Sequence, residues 1–562
     1  MKKSDFVIIG GVAAGPKAAA TLARRLPEAS ITLYQKEDEL SYATCGMPFF
    51  ASGEISGFEE LLKTAFGVTR DADFFRSSRG FEAVTGAEAV RIDRDRKTVT
   101  VRMLATDEIF EHQYDKLVLA TGALPNMPHF EVGDSPLIRS FTRPEDAREF
   151  RKVAEKGQIG EVAIVGSGFI GCELAEAVTD MWGIAATVIE KENQILPYVL
   201  DPEMAAIVER DMSRRDIQVW TDCAVEKIEL GEDGRPVVRT CDHDPIAVDY
   251  VFLCVGVHPN VDLAREAGLE IGSYGGIVVD DTMRTSDPEI YAGGDCVEST
   301  HQLTGGTLYL PMGSIANRHG RVIAENLSGH ETRFPGVLGA CILRMFDLNV
   351  GSVGLNERAA SAAGLKTKAV WGSFTDKPDY FPEAKSFVLK MVYDERTDAL
   401  LGLQAVGAGD ICRRIDVFSS FLQRKGAVED LLDFEQAYAP PFSEALDPLH
   451  HMAGIARALQ RGMNFVSPDA ILNGADATIF VDVREPDEIE AESLSNIAGN
   501  RDSEIIAVPL NYLKGRLADI PNGKPLVVLC KRGARAYQAA VILKAGGYKD
   551  VKVVGGGLQA LL

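Results

Sequence analysis

The sequence predicts an α/β protein in which two copies of one βαβ pattern are interleaved, followed by a mixed α+β segment and a last, separate α/β unit. Three observations predict it. An apolar run, Phe6-Val7-Ile8-Ile9, leads into Gly10-Gly11-Val12-Ala13-Ala14-Gly15, an alanine-rich helix to about Arg25 and a second apolar run, Ile31-Thr32-Leu33-Tyr34. The same order returns in Val162-Ala163-Ile164-Val165, Gly166-Ser167-Gly168-Phe169-Ile170-Gly171, a helix to about Trp182 and Ala186-Thr187-Val188-Ile189. From Asp469 onward, apolar runs at 477–483, 526–529 and 551–553 alternate with helical stretches. Short, wholly apolar runs bounded by glycine turns fit strands buried on both faces, and parallel strands need a crossover helix between them.

The chain has 562 residues, enough for three to four domains, with 46% hydrophobic and 25% charged content. Lys+Arg number 59 against 82 Asp+Glu, a net charge of -23. That balance repels phosphate backbones and anionic lipid, so neither nucleic acid nor a membrane surface is an expected partner. No apolar run approaches the roughly 20 residues of a span. The first apolar run turns at once into glycines, so it is read as a strand and not a signal peptide, and the expected location is the cytoplasm. The nine cysteines contain no Cys-x-x-Cys pair. Neither a disulfide framework nor a metal centre is expected. Cys172, Cys223, Cys241, Cys254 and Cys341 are expected to be buried as small apolar residues. His450-His451 is expected to pack, with no third ligand nearby.

Glycine turns of this kind let backbone approach a pyrophosphate, and the helix that follows offers N–H donors and a positive dipole end. The second copy has all three glycines, Gly166, Gly168 and Gly171, with Glu190 ending the next strand. A carboxylate there can bond both ribose hydroxyls and repels a 2′-phosphate, which favours NADH over NADPH. The first copy keeps Gly10 and Gly15 but has Val12 at the second glycine and Gln35, followed by Lys36, where an acid is usual. Leu117-Val118-Leu119-Ala120-Thr121-Gly122 and Tyr291-Ala292-Gly293-Gly294-Asp295 lie between and after the two copies. Asp295, at the end of an Ala-Gly-Gly-Asp strand, can present a carboxylate to a flavin ribityl hydroxyl.

The order of these motifs resembles the flavoprotein disulfide reductases with two Rossmann-like dinucleotide-binding domains, over about four-fifths of the chain. The resemblance implies FAD at Gly10, Gly15, Gln35, Lys36, Thr121, Gly122, Gly294 and Asp295, and NADH at Gly166, Gly168, Gly171 and Glu190. It implies a discontinuous FAD domain at 1–125 and 248–330, an NADH domain at 126–247 and an α+β dimerisation domain at 331–446. Cys45, in Ser41-Tyr42-Ala43-Thr44-Cys45-Gly46, has Leu40 and Phe50 at the positions five away. It therefore has no local disulfide partner and must pass through a mixed disulfide, a persulfide or a sulfenic acid. This single-cysteine pattern is similar to the coenzyme A-disulfide reductase and NADH-dependent persulfide reductase subgroup, with Thr44 where that motif has Asn. By the same resemblance, Tyr380 and Tyr438 reach the active site of the partner subunit in a homodimer. Lys17, Thr21, Arg24, Arg25, Ser41 and Thr44 are the candidate coenzyme A contacts, with the choice between Arg24 and Arg25 open.

Cys530-Lys531-Arg532-Gly533-Ala534-Arg535 follows the apolar run Leu526-Val527-Val528-Leu529 and precedes a helix. A loop of that size can aim backbone N–H groups at one thiolate, and its cations add positive potential. It resembles the rhodanese active-site loop, and Asp482-Val483-Arg484 resembles the rhodanese Asp-Val-Arg segment, which implies a rhodanese-like α/β domain at 468–562. The usual Gly-His-Ile is absent from 492–508. The segment 447–467 reads as a helix-bearing linker that tethers the sulfur carrier Cys530 to the rest.

The expected activity is electron transfer from NADH through FAD and Cys45 to a persulfide, polysulfide, coenzyme A persulfide or coenzyme A disulfide. Two rivals stand beside it. One is an NADH oxidase or peroxidase using a Cys45 sulfenic acid, against which the absence of a histidine in the first glycine loop counts. The other is a slow sulfur-trafficking or redox-sensing protein that binds coenzyme A and FAD, against which the intact NADH fingerprint counts.

Overall fold

The computed structural model describes residues 2–469, 479–492 and 504–561. They form two compact units, one of residues 1–191 and 223–337, the other of 192–222 and 338–562.

In the first unit, β1 (Lys2–Ile9), α1 (Ala14–Arg25) and β2 (Ile31–Tyr34) make the first βαβ crossover. β1 lies parallel to β2 and to β3 (Ile109–Leu119), with Ile9 level with Tyr34 on one side and Leu119 on the other. Phe6, Val7, Ile8 and Ile9 are all buried, as a central strand covered on both faces requires. The second crossover is β4 (Glu161–Val165), α2 (Phe169–Asp180) and β5 (Ala185–Ile189), and β4 also pairs in parallel with β6 (Tyr250–Leu253). β7 (Ile290–Ala292) returns to the first sheet beside β3, so Ala292 lies level with Leu119. Both glycine turns and the Gly-Gly-Asp segment thus follow the carboxyl ends of parallel strands, where open α/β sheets bind ligands. α3 (Gly313–Leu327) lies across α1 at Gly320, where a Cβ would come 2.4 Å from the Ala14 carbonyl oxygen.

The second unit holds two sheets. A five-stranded antiparallel sheet has the order β8 (Cys341–Met345), β9 (Leu348–Gly354), β12 (Leu400–Gly407), β11 (Ser386–Asp394), β10 (Thr367–Thr375). A parallel sheet has the order β13 (Asn464–Val466), β17 (Val551–Val554), β16 (Leu526–Leu529), β14 (Ile479–Asp482), β15 (Glu504–Ala507). The predicted strand at 477–483 appears as β14, with residues 477 and 478 outside the described residues, as is 493–503 of the stretch lacking Gly-His-Ile.

The helix expected within 447–467 is present. Pro448–Gln460 buries Leu449, Met452, Ala453 and Ala456 completely. His450 stacks on Phe434 and His451 on Phe374, so both histidines are packing groups.

Where Asp201, Glu203 and Glu357 converge in the second unit, the buried Lys390 ammonium sits among them, at 2.7, 2.5 and 2.5 Å. Burial alone would lower its pKa, but the three carboxylates hold it well above the usual lysine range.

Candidate active site

The two glycine turns are built alike. Gly10 and Gly166 have φ of 109° and 102°, and a Cβ on Gly15 or Gly171 would stand 1.9 or 2.0 Å from the carbonyl oxygen of Gly10 or Gly166. Only glycine permits that crossing of helix start over strand end. In each copy the residue ending the second strand reaches back to the turn. Buried Glu190 accepts from the backbone N–H (2.9 Å) and hydroxyl (2.6 Å) of Ser167 through Oε2. Gln35 accepts from Gly11 N–H (2.6 Å) and donates from Nε2 to Glu37 (2.6 Å). The negative charge missing at position 35 is thereby restored two residues on. Lys36 turns outward to Glu88 at 2.7 Å.

Around the first turn, polar groups converge. The Thr121 hydroxyl donates to the Asn260 carbonyl (2.6 Å), and nothing lies within 4 Å of where a Gly122 Cβ would be. Burial pushes the Asp295 carboxyl up to about 6. The Tyr309 hydroxyl is buried without a hydrogen-bond partner among the described residues, and burial together with Asp295 raises its pKa. His319 accepts from Gly294 N–H through Nδ1 (3.2 Å), its Nε2 has no partner there, and burial holds it at about 3. Buried polar groups without partners are costly unless a ligand completes them. The open glycines, the raised Asp295 and the orphaned Tyr309 hydroxyl therefore fit a flavin dinucleotide. Tyr309 and His319 carry no sequence fingerprint; only the fold brings them to Gly294 and Asp295.

Cys45 is exposed on the short turn Thr44–Gly46. Ser41 N–H donates to the Gly11 carbonyl at 2.8 Å, and Ser41 itself takes a left-handed φ of 49°. Gly46 packs so closely on Leu61 that a Cβ would come within 2.4 Å of it. The cysteine is thus carried on a turn pinned to the first glycine loop, and all nine cysteines are free thiols. Lys17, Thr21 and Arg24 follow one face of α1, and Arg24 donates to the Thr21 hydroxyl at 3.1 Å. Arg25 pairs instead with Glu325 at 2.8 Å. Among the five cysteines expected to be buried, Cys172 and Cys223 are buried, Cys254 and Cys341 are half-buried, and Cys241 is exposed. Cys241 falls just after the strand Pro236–Thr240, where the chain leaves its sheet.

In the second unit, Tyr380 and Tyr438 are 71% and 52% exposed, free to meet another surface. Cys530 is buried, and its sulfur accepts from Gly533 N–H (3.1 Å) and Ala536 N–H (3.4 Å). Gly557 closes over the loop, with Leu558 and Gln559 N–H bonding the carbonyls of Cys530 and Lys531. Arg535 forks onto Glu488 (2.5 and 2.7 Å). Asp482 and Arg484 form a buried pair at 2.8 Å that orders the loop after β14.

Two dinucleotide turns in one unit, with the exposed Cys45 on a loop tied to the first, fit an oxidoreductase that takes two nucleotides. Comparison with known proteins places it further. The chain belongs to the pyridine nucleotide-disulphide oxidoreductase family, which matches residues 4–313, with that family's dimerisation domain at 342–450 and a rhodanese-like domain at 468–562. The family takes FAD and a pyridine nucleotide. The chain is 34% identical to an NAD(P)H sulfur oxidoreductase (CoA-dependent) of Pyrococcus abyssi, over 81% of this chain and 98% of the relative. Its fold matches an NAD-dependent persulfide reductase from A. fulgidus, at 36% identity and TM-score 0.93 over 99% of both chains. It also matches reduced CoADR-RHD of Bacillus anthracis, at 30% identity and TM-score 0.88 over 100% of this chain and 98% of that one. Among the described residues no helix is long and apolar enough to cross a membrane.

Proposed function

We propose that this chain is an FAD-dependent reductase that passes electrons from NADH to the S–S bond of a persulfide, polysulfide or coenzyme A persulfide or disulfide through Cys45, with Cys530 as a sulfur carrier. The observation that carries it is the hydrogen bond from Ser41 to Gly11, which ties the loop bearing the exposed Cys45 to the flavin's glycine turn.

Bound FAD and NADH supply the electron pair. The Cys45 thiolate attacks the outer sulfur of R–S–SH, the S–S bond breaks and the thiolate RS⁻ leaves. Two electrons then cleave Cys45–S–SH to the Cys45 thiolate and HS⁻. The balance is RSSH + NADH → RSH + HS⁻ + NAD⁺. Gly166, Gly168, Gly171 and Glu190 seat the nucleotide. Gly10, Gly15, Gln35, Thr121, Gly122, Gly294 and Asp295 seat the flavin, and the Tyr309 hydroxyl and Asp295 offer it hydrogen bonds. Lys17, Thr21 and Arg24 on the first helix, with Ser41 and Thr44 on the Cys45 loop, are the coenzyme A contacts of this reading. Arg25 is held by Glu325, which favours Arg24 as the phosphate ligand. In a homodimer, Tyr380 and Tyr438 of the partner orient or protonate the leaving thiolate.

The test is anaerobic sulfide release from coenzyme A persulfide with matched NADH oxidation. Unchanged turnover in Cys45→Ser would exclude the mechanism. Faster turnover with peroxide or oxygen than with any sulfur acceptor would favour the oxidase reading.

A further inference from the structure

The loop around Cys530 carries three cations, Lys531, Arg532 and Arg535, and the sequence presents all three as potential for an anionic sulfur donor. The structure commits two of them elsewhere. Arg535 forks onto Glu488, and that contact holds the Glu488 carboxyl down at about 2. Arg532 donates from Nη1 to both carboxylate oxygens of Asp379, at 3.0 and 2.8 Å, and from Nε to Gln559 at 3.1 Å. The Arg532 guanidinium holds the Asp379 carboxyl below its ordinary range, so the pair is charged on both sides at neutral pH. Three cations set against two carboxylates leave one net positive charge at the loop, that of the exposed Lys531. Asp379 belongs to the antiparallel-sheet segment after β10, so the charge at this loop is fixed by a residue 153 positions away.

We propose that Asp379 sets the donor preference of Cys530: by neutralising Arg532 it favours donors of lower negative charge, such as organic persulfides, over dianions such as thiosulfate. The proposal rests on Cys530 being a sulfur acceptor and adds the class of donor it takes. With a persulfide, the Cys530 thiolate attacks the outer sulfur, the S–S bond breaks and RS⁻ leaves, giving Cys530–S–SH. With thiosulfate, the same attack must expel sulfite as a dianion, so the approaching and leaving groups both carry two charges past Asp379 and Glu488. Neither transfer needs an external oxidant or reductant. The chain's net charge of -23 acts in the same direction.

The test uses the full chain carrying Cys45→Ser, so that Cys530 is the thiol being read, without NADH. Sulfur transfer to cyanide is measured as thiocyanate from thiosulfate and from 2-hydroxyethyl persulfide. Expected is a preference for the persulfide. Asp379→Asn is expected to raise kcat/KM for thiosulfate about fivefold, the size of one unit-charge interaction across about 4 Å of bulk water. It should leave the persulfide value unchanged, and the gain should shrink as salt is added. Asp379→Glu keeps the charge and should keep the wild-type ratio, while melting curves report folding of both variants. An unchanged thiosulfate-to-persulfide ratio in a folded Asp379→Asn protein, or a preference for thiosulfate with Asp379 in place, would overturn the proposal. Loss of the parent reading looks different: no transfer from either donor, or transfer that survives Cys530→Ala.

Discussion

Replacing Gly168 by alanine separates two roles that a glycine turn combines. Gly168 has an ordinary backbone, φ -70° and ψ -171°, and nothing lies within 4 Å of where its Cβ would stand. The fold therefore has no use for a glycine there; the space is useful only to something that approaches the turn. The third glycine is the opposite case, since a Gly171 Cβ would come 2.0 Å from the Gly166 carbonyl oxygen. Gly168→Ala should leave stability unchanged or raise it by about 0.4–1 kcal/mol, because the unfolded chain loses freedom at no native cost. The same methyl occupies the approach of the NADH pyrophosphate. Losing one backbone N–H bond to a charged oxygen costs about 1.5–3 kcal/mol, roughly a ten- to hundredfold weaker NADH dependence. Gly171→Ala should instead lower stability by about 1–3 kcal/mol through overpacking. Thermal melts give the first quantity, and anaerobic stopped-flow bleaching of the flavin against NADH concentration gives the second. A Gly168→Ala protein with wild-type NADH dependence, or one that melts well below wild type, would refute the reasoning.

Other predictions follow the same logic. Asp295 is raised to about 6 without ligand; if flavin hydroxyls donate to it, binding lowers that value, so FAD affinity of the apoprotein should rise with pH through about 6 and level off above. Asp295→Asn should flatten that profile, read by flavin fluorescence quenching. Lys390→Met leaves Asp201 and Glu203 buried without their cation and should cost about 3–5 kcal/mol. Because the folded-state carboxylate pKa values then rise, the variant's deficit should shrink as pH falls, the reverse of a protein stabilised by depressed carboxylates. Cys45→Ser should keep rapid flavin bleaching by NADH while sulfide release falls to background.

The glycine turns, the lone cysteine and the Cys530 loop were legible because each is a local run whose spacing carries its own geometry. Gly166, Gly168 and Gly171 read as a nucleotide turn from six consecutive residues. Tyr309 and His319 were not legible, since their proximity to Gly294 and Asp295 is a product of the fold. Charge was the weakest inference. Arg25, Arg532 and Arg535 look available in sequence, yet Glu325, Asp379 and Glu488 hold them. Cys241 was expected inside because cysteine usually is, but its place just past a strand end exposes it. The helix within 447–467 was legible, and its apolar face, Leu449, Met452, Ala453 and Ala456, is buried.

The most direct test of the central claim is to identify what Cys45 carries during turnover. Enzyme mixed anaerobically with an organic persulfide, quenched before NADH is added, should yield a Cys45 peptide heavier by one sulfur atom, and a second sample quenched after NADH should return it to the thiol with one equivalent of sulfide. Sulfide formed from persulfide and NADH while Cys45 stays unmodified in every quenched sample would contradict it.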